Sequence, residues 1–151
     1  HRQCPDLELV LVGQLGWKYA ALLKAIEDLN LGSALRRLGY VPNEDLPALY
    51  NLARLLAFPS LYEGFGLPVI EAMACGTPVL TSNGSSLAEI ATGAAWLIDP
   101  YDVQAMADGL TRLAIDDELH AQLREAGLVR AAQFSWQRAA EETVRVYDAV
   151  M

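Results

Sequence analysis

The sequence predicts an α/β fold, an open parallel sheet of about five strands with helices on both faces. Three observations predict it. Short apolar runs alternate along the chain with longer segments whose apolar residues recur at helical spacing. The apolar runs are too short and too uniformly hydrophobic to have one face in water, which is typical of parallel strands covered on both sides. The 151 residues, 53% hydrophobic and 20% charged, are enough for a single domain with its own core.

Each predicted strand is an apolar run that ends at a glycine, a proline or a polar residue. The first run closes at Gly13, the second at Pro42, and the third leaves the sheet at Pro59. The fourth and fifth are shorter and lead into polar loops. Strands are therefore expected at residues 7–13, 35–41, 55–60, 78–81 and 95–98.

Helices are predicted between and after these strands, from apolar residues three and four positions apart and from capping signals. Asn30 supplies the stop of the first helix, and Pro68 opens the third. Ser85 and Ser86 are expected to cap the fourth, and Ser135 to cap the last. The expected helices before the final three are 17–29, a short one from residues 43–45 to about 52, 68–74 and 85–91.

Charge and cysteine content exclude several classes of function. Eleven Lys and Arg against nineteen Asp and Glu leave a net charge of −8, so we expect no nucleic-acid partner. No run of roughly 18 uncharged apolar residues is present, so no membrane span is predicted. Cys4 and Cys75 make neither a disulfide framework nor a CxxC metal site. Free thiols in a cytoplasmic protein are the expectation.

One loop at the carboxyl ends of the strands, where open α/β sheets bind ligands, carries a distinctive pattern. A glycine-rich turn, residues 63–66 (EGFG), leads into a helix whose first turn contains Pro68. Gly64 and Gly66 lack Cβ atoms, so a ligand can approach the backbone closely. The free amides at the positive end of the helix dipole predict an anion site suited to phosphate. These amides are expected to be those of Gly66, Leu67, Val69 and Ile70.

Two acidic residues flank this turn. Glu71 lies about one helical turn, roughly 5 Å along the axis, from the phosphate-binding end. Its carboxylate can accept hydrogen bonds from two vicinal ribose hydroxyls. Glu63 precedes the glycines and can reach hydroxyls beyond the distal phosphate. The two carboxylates are therefore expected to bracket a diphosphate, with a nucleoside on one side and a sugar on the other.

The chain resembles the retaining group-one glycosyltransferases of the GT-B fold, which use nucleotide-sugar donors. Glu63 and Glu71, separated by seven residues, resemble that family's E-x7-E motif. Further similarities occur in the family's order over nearly the whole chain. They are LVLVG at 9–13, GYVP at 39–42, FPS at 58–60, EAMACGTPV at 71–79, DP at 99–100 and FSW at 134–136.

The resemblance implies that residues 1–151 are a single nucleotide-sugar-binding domain, the C-terminal half of such an enzyme. It implies that Glu71 holds the ribose, that the backbone of Gly64, Phe65, Gly66 and Leu67 holds the diphosphate, and that Glu63 contacts the donor sugar as the catalytic candidate. The loop with Val41 and Asn43 would form the base-binding edge, and Gly16 a loop near the nucleotide. No metal and no cofactor besides the donor substrate are expected. The anomeric configuration of the transferred hexosyl group would be retained.

The resemblance also implies missing parts, namely an N-terminal acceptor-binding domain and a first βα unit with the basic residues that neutralise the diphosphate. Lys18 and Arg54 are the nearest remaining cations. Donor affinity is therefore expected to be in about the millimolar range or absent, with no turnover by the isolated chain. It stays open whether the parent enzyme is peripheral to a membrane.

The missing unit would contain a central strand of the Rossmann order 3-2-1-4-5-6. Either the sheet keeps a gap, or it closes to the flavodoxin-like order 2-1-3-4-5. We expect the closed form, as a monomer or dimer. A gap would leave exposed strand edges through which the chain could form a homodimer.

Three alternatives to a transferase stay open. A sugar-nucleotide epimerase or phosphorylase of similar architecture would require acids not identified here. A flavodoxin-like non-enzymatic module would require acidic or hydroxyl residues after the first strand, where the chain has VGQL at 12–15. An excised or engineered fragment would have no activity of its own. His120 is expected on a solvated helix face, and Trp17, Trp96 and Trp136 as core or interface residues, although Trp136 and Tyr147 on the last helix would be exposed without a partner domain.

Overall fold

Parallel strands and helices alternate along the chain, as predicted. The computed structural model describes Cys4, residues 6–17 and residues 19–151. The chain divides into two compact units, His1–Leu46 and Pro47–Met151. Lys18 and the residues at positions 1–3 and 5 lie outside the described residues.

The first unit contains two parallel strands and one helix. It comprises β1 (Leu9–Val12), α1 (Ala20–Leu29), a 3-10 turn (Gly32–Ala34) and β2 (Leu35–Gly39). β1 pairs with β2, Leu9 opposite Leu35. α1 ends at Asn30, whose left-handed backbone (φ 45°) fits the predicted stop signal.

The strands of this unit are not buried on both faces. Leu9, Val10 and Val12 of β1 are 41–48% exposed, and Ala34 is the one buried hydrophobic residue among the described residues of the unit. The prediction of a buried first strand is therefore wrong. The side chains of β1 are apolar enough for a core, but no residue of α1 is buried either, so this helix and this strand form no closed core within the unit.

The second unit is a three-layer α/β structure around the parallel sheet β3-β4-β5. Its elements begin with α2 at the unit boundary. They are α2 (Leu46–Leu52), β3 (Leu56–Phe58), α3 (Leu67–Ala74), β4 (Val79–Ser82), α4 (Ser85–Ala91), β5 (Trp96–Ile98), α5 (Val103–Ile115), α6 (Asp117–Ala131) and α7 (Trp136–Val150).

The core of this unit lies on the two faces of β4. Successive side chains of a strand point to opposite faces, and Val79 packs with Val69, Met73 and other residues of α3 and α4. Leu80, its neighbour, packs instead with a cluster that includes Leu113 of α5. All four residues of β4 are buried. The predicted covering of both faces by helices is confirmed for this strand.

The five strands form two sheets, β1-β2 and β3-β4-β5, rather than one. The flavodoxin-like order 2-1-3-4-5 concerns a ladder between β1 of the first unit and β3 of the second, and it stays a prediction. The Rossmann-like α/β class with parallel strands is confirmed.

The last helix, α7, has no buried residues. Trp136 and Tyr147 are exposed on it, as expected, and Trp17 in the first unit is 93% exposed. Trp96 is the tryptophan that packs against the core. None of the described helices is both long and apolar enough to cross a membrane.

Candidate functional site

The glycine turn lies between the end of β3 at Phe58 and the start of α3 at Leu67. Gly66 precedes the helix in a left-handed backbone conformation (φ 103°, ψ 48°), and Pro68 stands in the first helical turn. A Cβ on Gly66 would lie 2.6 Å from Cδ2 of Leu87, a fully buried side chain. The fold therefore requires glycine at position 66, because only a residue without a Cβ can combine this φ with the close approach of the Leu87 side chain.

The turn presents a row of backbone amides that the protein does not use. Within the described part of the chain, the amides of Gly64, Phe65, Gly66 and Leu67 have no hydrogen-bond partner. They lie at the positive end of α3, where unpaired N–H groups favour an anion. The prediction is wrong for Val69, whose amide donates to the carbonyl of Gly66 at 3.0 Å and so closes the first turn.

Ser85 and Ser86 hold this turn from the neighbouring helix. Ser86 Oγ lies 2.9 Å from the carbonyl oxygens of both Glu63 and Phe65, which share its single proton. Ser85 Oγ accepts from the amide of Glu63 at 3.3 Å. The prediction that these serines cap α4 is wrong. The N-cap is Gly84, with no side-chain capping bond, because both hydroxyls are turned toward the glycine turn.

Glu71 is exposed on α3 and accepts a hydrogen bond from a residue that no sequence motif selects. Tyr50 Oη, on α2, donates to Glu71 Oε2 at 3.1 Å. The backbone of Tyr50 is itself tied down, since Thr77 Oγ1 donates to its carbonyl at 2.7 Å. No motif connects positions 21 residues apart on separate helices, so only the fold reveals the pair.

The environment keeps Tyr50 in its donating form. Burial, followed by the negative charge of Glu71 and the hydrogen bond to it, raises the pKa of Tyr50 above its usual range. Burial and then Glu71 also raise the pKa of the Cys75 thiol, which is typical of a packing residue rather than a nucleophile. Glu71 therefore has one carboxylate oxygen oriented by a permanent donor and the other available to ligand hydroxyls.

Glu63 is held by its backbone, not by its side chain. Its amide and its carbonyl both bond to α4, and its half-buried side chain has no partner within the described residues. The structure thus brings Glu63, the glycine turn and Glu71 into the unit Pro47–Met151. Val41, Asn43 and Gly16, the remaining predicted residues, lie in the unit His1–Leu46, Val41 half-buried and the other two exposed.

Arg54 is not available to neutralise a diphosphate. Its guanidinium pairs with Asp117 at 2.6 Å and donates to the carbonyl of Ala114 at 3.2 Å. It precedes β3, whereas the glycine turn follows the carboxyl end of that strand. His120 is also engaged, with Nε2 2.9 Å from the carbonyl oxygen of Arg54, so the solvated helix face expected for it is wrong.

Two crevices in this unit lie away from the glycine turn. A crevice of about 370 Å³ is lined by residues 92–94 and part of α6, and one of about 300 Å³ includes Arg54, His120 and Arg124. At the turn, Phe65 and Leu67 are each 45% exposed, so a ligand bound there requires a second wall to be enclosed. In the described part of the chain, no three His, Cys, Asp or Glu side chains are grouped to hold a metal ion.

Comparisons with known proteins agree with this architecture. Residues 1–130 match the family described as Glycosyl transferases group 1. The O-antigen chain mannosyltransferase B of Escherichia coli is 42% identical over 139 residues, which cover 92% of this chain and 36% of that protein. The sucrose-phosphate synthase of Thermosynechococcus elongatus has a similar structure, with a TM-score of 0.88 and 31% identity over 98% of this chain and 39% of the synthase.

A second similar structure was solved with a nucleotide sugar. The Anabaena protein Alr3699/HepE, in complex with UDP-glucose, has a TM-score of 0.85 and 25% identity over 97% of this chain and 42% of its own. Fold and relatives together define a glycosyltransferase domain. The chain belongs to the glycosyl transferases group 1 family. It spans 36% of the length of the mannosyltransferase relative.

Proposed function

We propose that the glycine turn and the start of α3 bind the diphosphate of a nucleotide-sugar donor. The observation that carries this proposal is the row of four unpartnered amides, Gly64 to Leu67, at the positive end of α3. Backbone donors in this position bind phosphate without a positively charged side chain. Arg54, as the structure has it, is engaged elsewhere, so the amides and the helix dipole are the main source of positive potential.

The two carboxylates would read the groups on either side of the diphosphate. Glu71, with one oxygen oriented by Tyr50, is suited to accept from the ribose hydroxyls. Glu63, whose backbone is fixed and whose carboxylate is free, would contact the donor sugar and is the catalytic candidate. Val41, Asn43 and Gly16 remain predictions for the base-binding edge and the nucleotide loop.

The reaction that we propose for the whole enzyme is transfer of a hexosyl group with retention of configuration. The name of the Escherichia coli relative is that of a mannosyltransferase, and the Anabaena protein was solved with UDP-glucose. A nucleoside-diphosphate hexose is therefore the donor class, with mannose the first sugar to test. Metal independence is part of the same proposal. So is a cytoplasmic location, which the two free cysteines suggest.

The isolated chain is proposed to bind donor weakly and not to turn it over. Phe65 and Leu67 of the turn are exposed, and the net charge of −8 opposes the approach of a dianion. A further domain that binds the acceptor and supplies the second wall is the partner that the site requires. That residues 1–151 act as one nucleotide-sugar-binding domain stays a prediction.

Titration of the ¹⁵N-labelled chain with GDP-mannose and UDP-glucose tests the donor site. Shifts concentrated at the amides of residues 64–67, unchanged by excess EDTA, are expected. Glu71→Gln removes a charged acceptor and should lower the affinity about tenfold or more. Glu125→Gln makes the same charge change on α6 and should have no effect. No shifts at the turn with either donor, or equal affinity of Glu71→Gln and wild type, would contradict the proposal.

A further inference from the structure

Two side chains at the end of β4 fix the chain as it leaves β3. Thr81 Oγ1 donates to the carbonyl of Phe58 at 2.8 Å, and Ser82 Oγ donates to the carbonyl of Ser60 at 2.5 Å. Thr81 and Ser82 are buried, 0% and 1% exposed, so these bonds are shielded from water. The segment that leads to the glycine turn therefore starts from a fixed position.

Ser85 and Ser86 continue this pattern, since they bond the backbone of Glu63 and Phe65. Together with Thr81 and Ser82 they form what we call the hydroxyl brace, four hydroxyls within six residues that all bond the main chain of residues 58–65. The backbone of Ser85 is left-handed (φ 54°), which is uncommon for a residue with a side chain. Such conformations persist where the surrounding structure requires them.

The bonds made by Ser86 decide where two of the free amides point. In a trans peptide the N–H points opposite to the C=O of the same unit, and no cis peptide occurs in the described residues. The carbonyls of Glu63 and Phe65 point to Ser86. The N–H groups of Gly64 and Gly66, which belong to the same peptide units, therefore point away from α4.

The helix that carries Ser86 is also fixed at its other end. Arg130 of α6 donates to the carbonyls of Ile90 and Glu89 at 2.8 and 2.9 Å, near the last turn of α4. Phe65 of the turn makes an edge-to-face contact with Phe134, with ring centroids 6.0 Å apart. α4 cannot shift without breaking contacts at both of its ends.

We propose that the hydroxyl brace is a positioning element, with Ser86 its principal residue, that orients the amides of the glycine turn before any ligand arrives. The effect of the brace on ligand binding rests on the proposed donor site, whereas the orientation of the amides in the free protein does not depend on that site. A turn with free rotation of these peptide units would have to be ordered by the ligand, at a cost in affinity. With the brace, the amides are already arranged.

Backbone ¹⁵N relaxation of the free protein tests the structural part. In the wild type we expect order parameters near 0.85 for residues 63–67, as in rigid backbone. In Ser86→Ala they should fall toward 0.6 or below at Gly64 and Gly66, and Ser86→Thr, which keeps a hydroxyl, should restore them. Alanine favours the helix more than serine does, so the midpoint of urea unfolding should change little. Thr143→Ala, which removes a similar hydroxyl-to-carbonyl bond inside α7, is the matched control.

A UDP titration of the same variants tests the link to binding. Ser86→Ala should weaken UDP about tenfold, the equivalent of about one net hydrogen bond, while Ser86→Thr and Thr143→Ala bind as the wild type does. If the wild type does not bind UDP, the donor-site proposal fails and the relaxation result still decides on the brace. Unchanged order parameters in Ser86→Ala would overturn the brace, whatever the titration shows.

Ser85→Gly is the second variant, in case Ser86→Ala does not fold. Glycine suits the left-handed backbone at this position, so folding is not at risk. The variant loses the acceptor for the amide of Glu63, and the order parameter of that amide should fall. A rigid Glu63 amide in Ser85→Gly would count against the brace as well.

Discussion

Replacing Gly66 by alanine puts a methyl group at a position where the backbone and the core both exclude one. The backbone has φ 103°, a conformation that costs a residue with a side chain about 1–3 kcal/mol. The new Cβ would lie 2.6 Å from Leu87 Cδ2 and 3.1 Å from Ile90 Cδ1. Leu87 is fully buried and cannot move into solvent, so its displacement costs about another 1–3 kcal/mol. Gly66→Ala should therefore lower the free energy of unfolding by about 2–6 kcal/mol.

Gly64→Ala is the matched control for this prediction. Gly64 lies two residues earlier in the same turn, but its φ is not positive, and nothing lies within 4 Å of a Cβ built there. Its unfolding free energy should remain within about 0.5 kcal/mol of the wild type, as for an ordinary surface change. Urea unfolding of both variants, followed by far-UV circular dichroism, measures the difference. Equal stabilities of the two variants would refute the reasoning.

Three further predictions concern packing, pH and association. Gly109→Ala should lower the free energy of unfolding, measured with urea, by about 1–3 kcal/mol, because the methyl group would lie 2.7 Å from Nε1 of Trp96. This cost exceeds the gain from the better helix propensity of alanine, and a stabilised variant would contradict the prediction. The folded state raises the pKa of Tyr50. The stabilisation that protonated Tyr50 provides is therefore complete below the pKa of tyrosine in the unfolded chain, about 10, and is lost as the pH rises above it. Tyr50→Phe should accordingly show a shallower fall in urea midpoint than the wild type above about pH 10, and parallel profiles would exclude this role. A homodimer through strand edges should appear in sedimentation velocity as a concentration-dependent species that Val10→Lys in β1 abolishes; a wild type that is monomeric throughout would contradict it.

The sequence predicted those parts of the fold that local signals determine. Pro68 and the glycines before it located the start of α3 to within one residue, Asn30 the end of α1, and Ser135 the start of α7, where its hydroxyl caps the helix as expected. The glycine turn and Glu71 are neighbours along the chain, so their proximity followed from the same local signals, while their role in binding stays a prediction.

The rest depends on contacts between distant residues, which local patterns do not contain. Tyr50 bonds Glu71 from another helix, and a serine at position 86 has the same sequence signature whether it caps its helix or bonds a neighbouring turn. Arg54 was a candidate cation by proximity in sequence, but its partner Asp117 is 63 residues away. The burial of β1 could not be predicted either, since apolar composition indicates what a strand can bury and not what covers it.

Titration of the ¹⁵N-labelled chain with inorganic pyrophosphate tests most directly whether the turn is an anion site. Pyrophosphate has the P–O–P unit of the donor without the nucleoside or the sugar, so only the diphosphate contacts are measured. The largest shifts should occur at the amides of Phe65, Gly66 and Leu67. Shifts centred instead on the crevice with Arg124 and His120, or none at the turn at saturating pyrophosphate, would contradict the account.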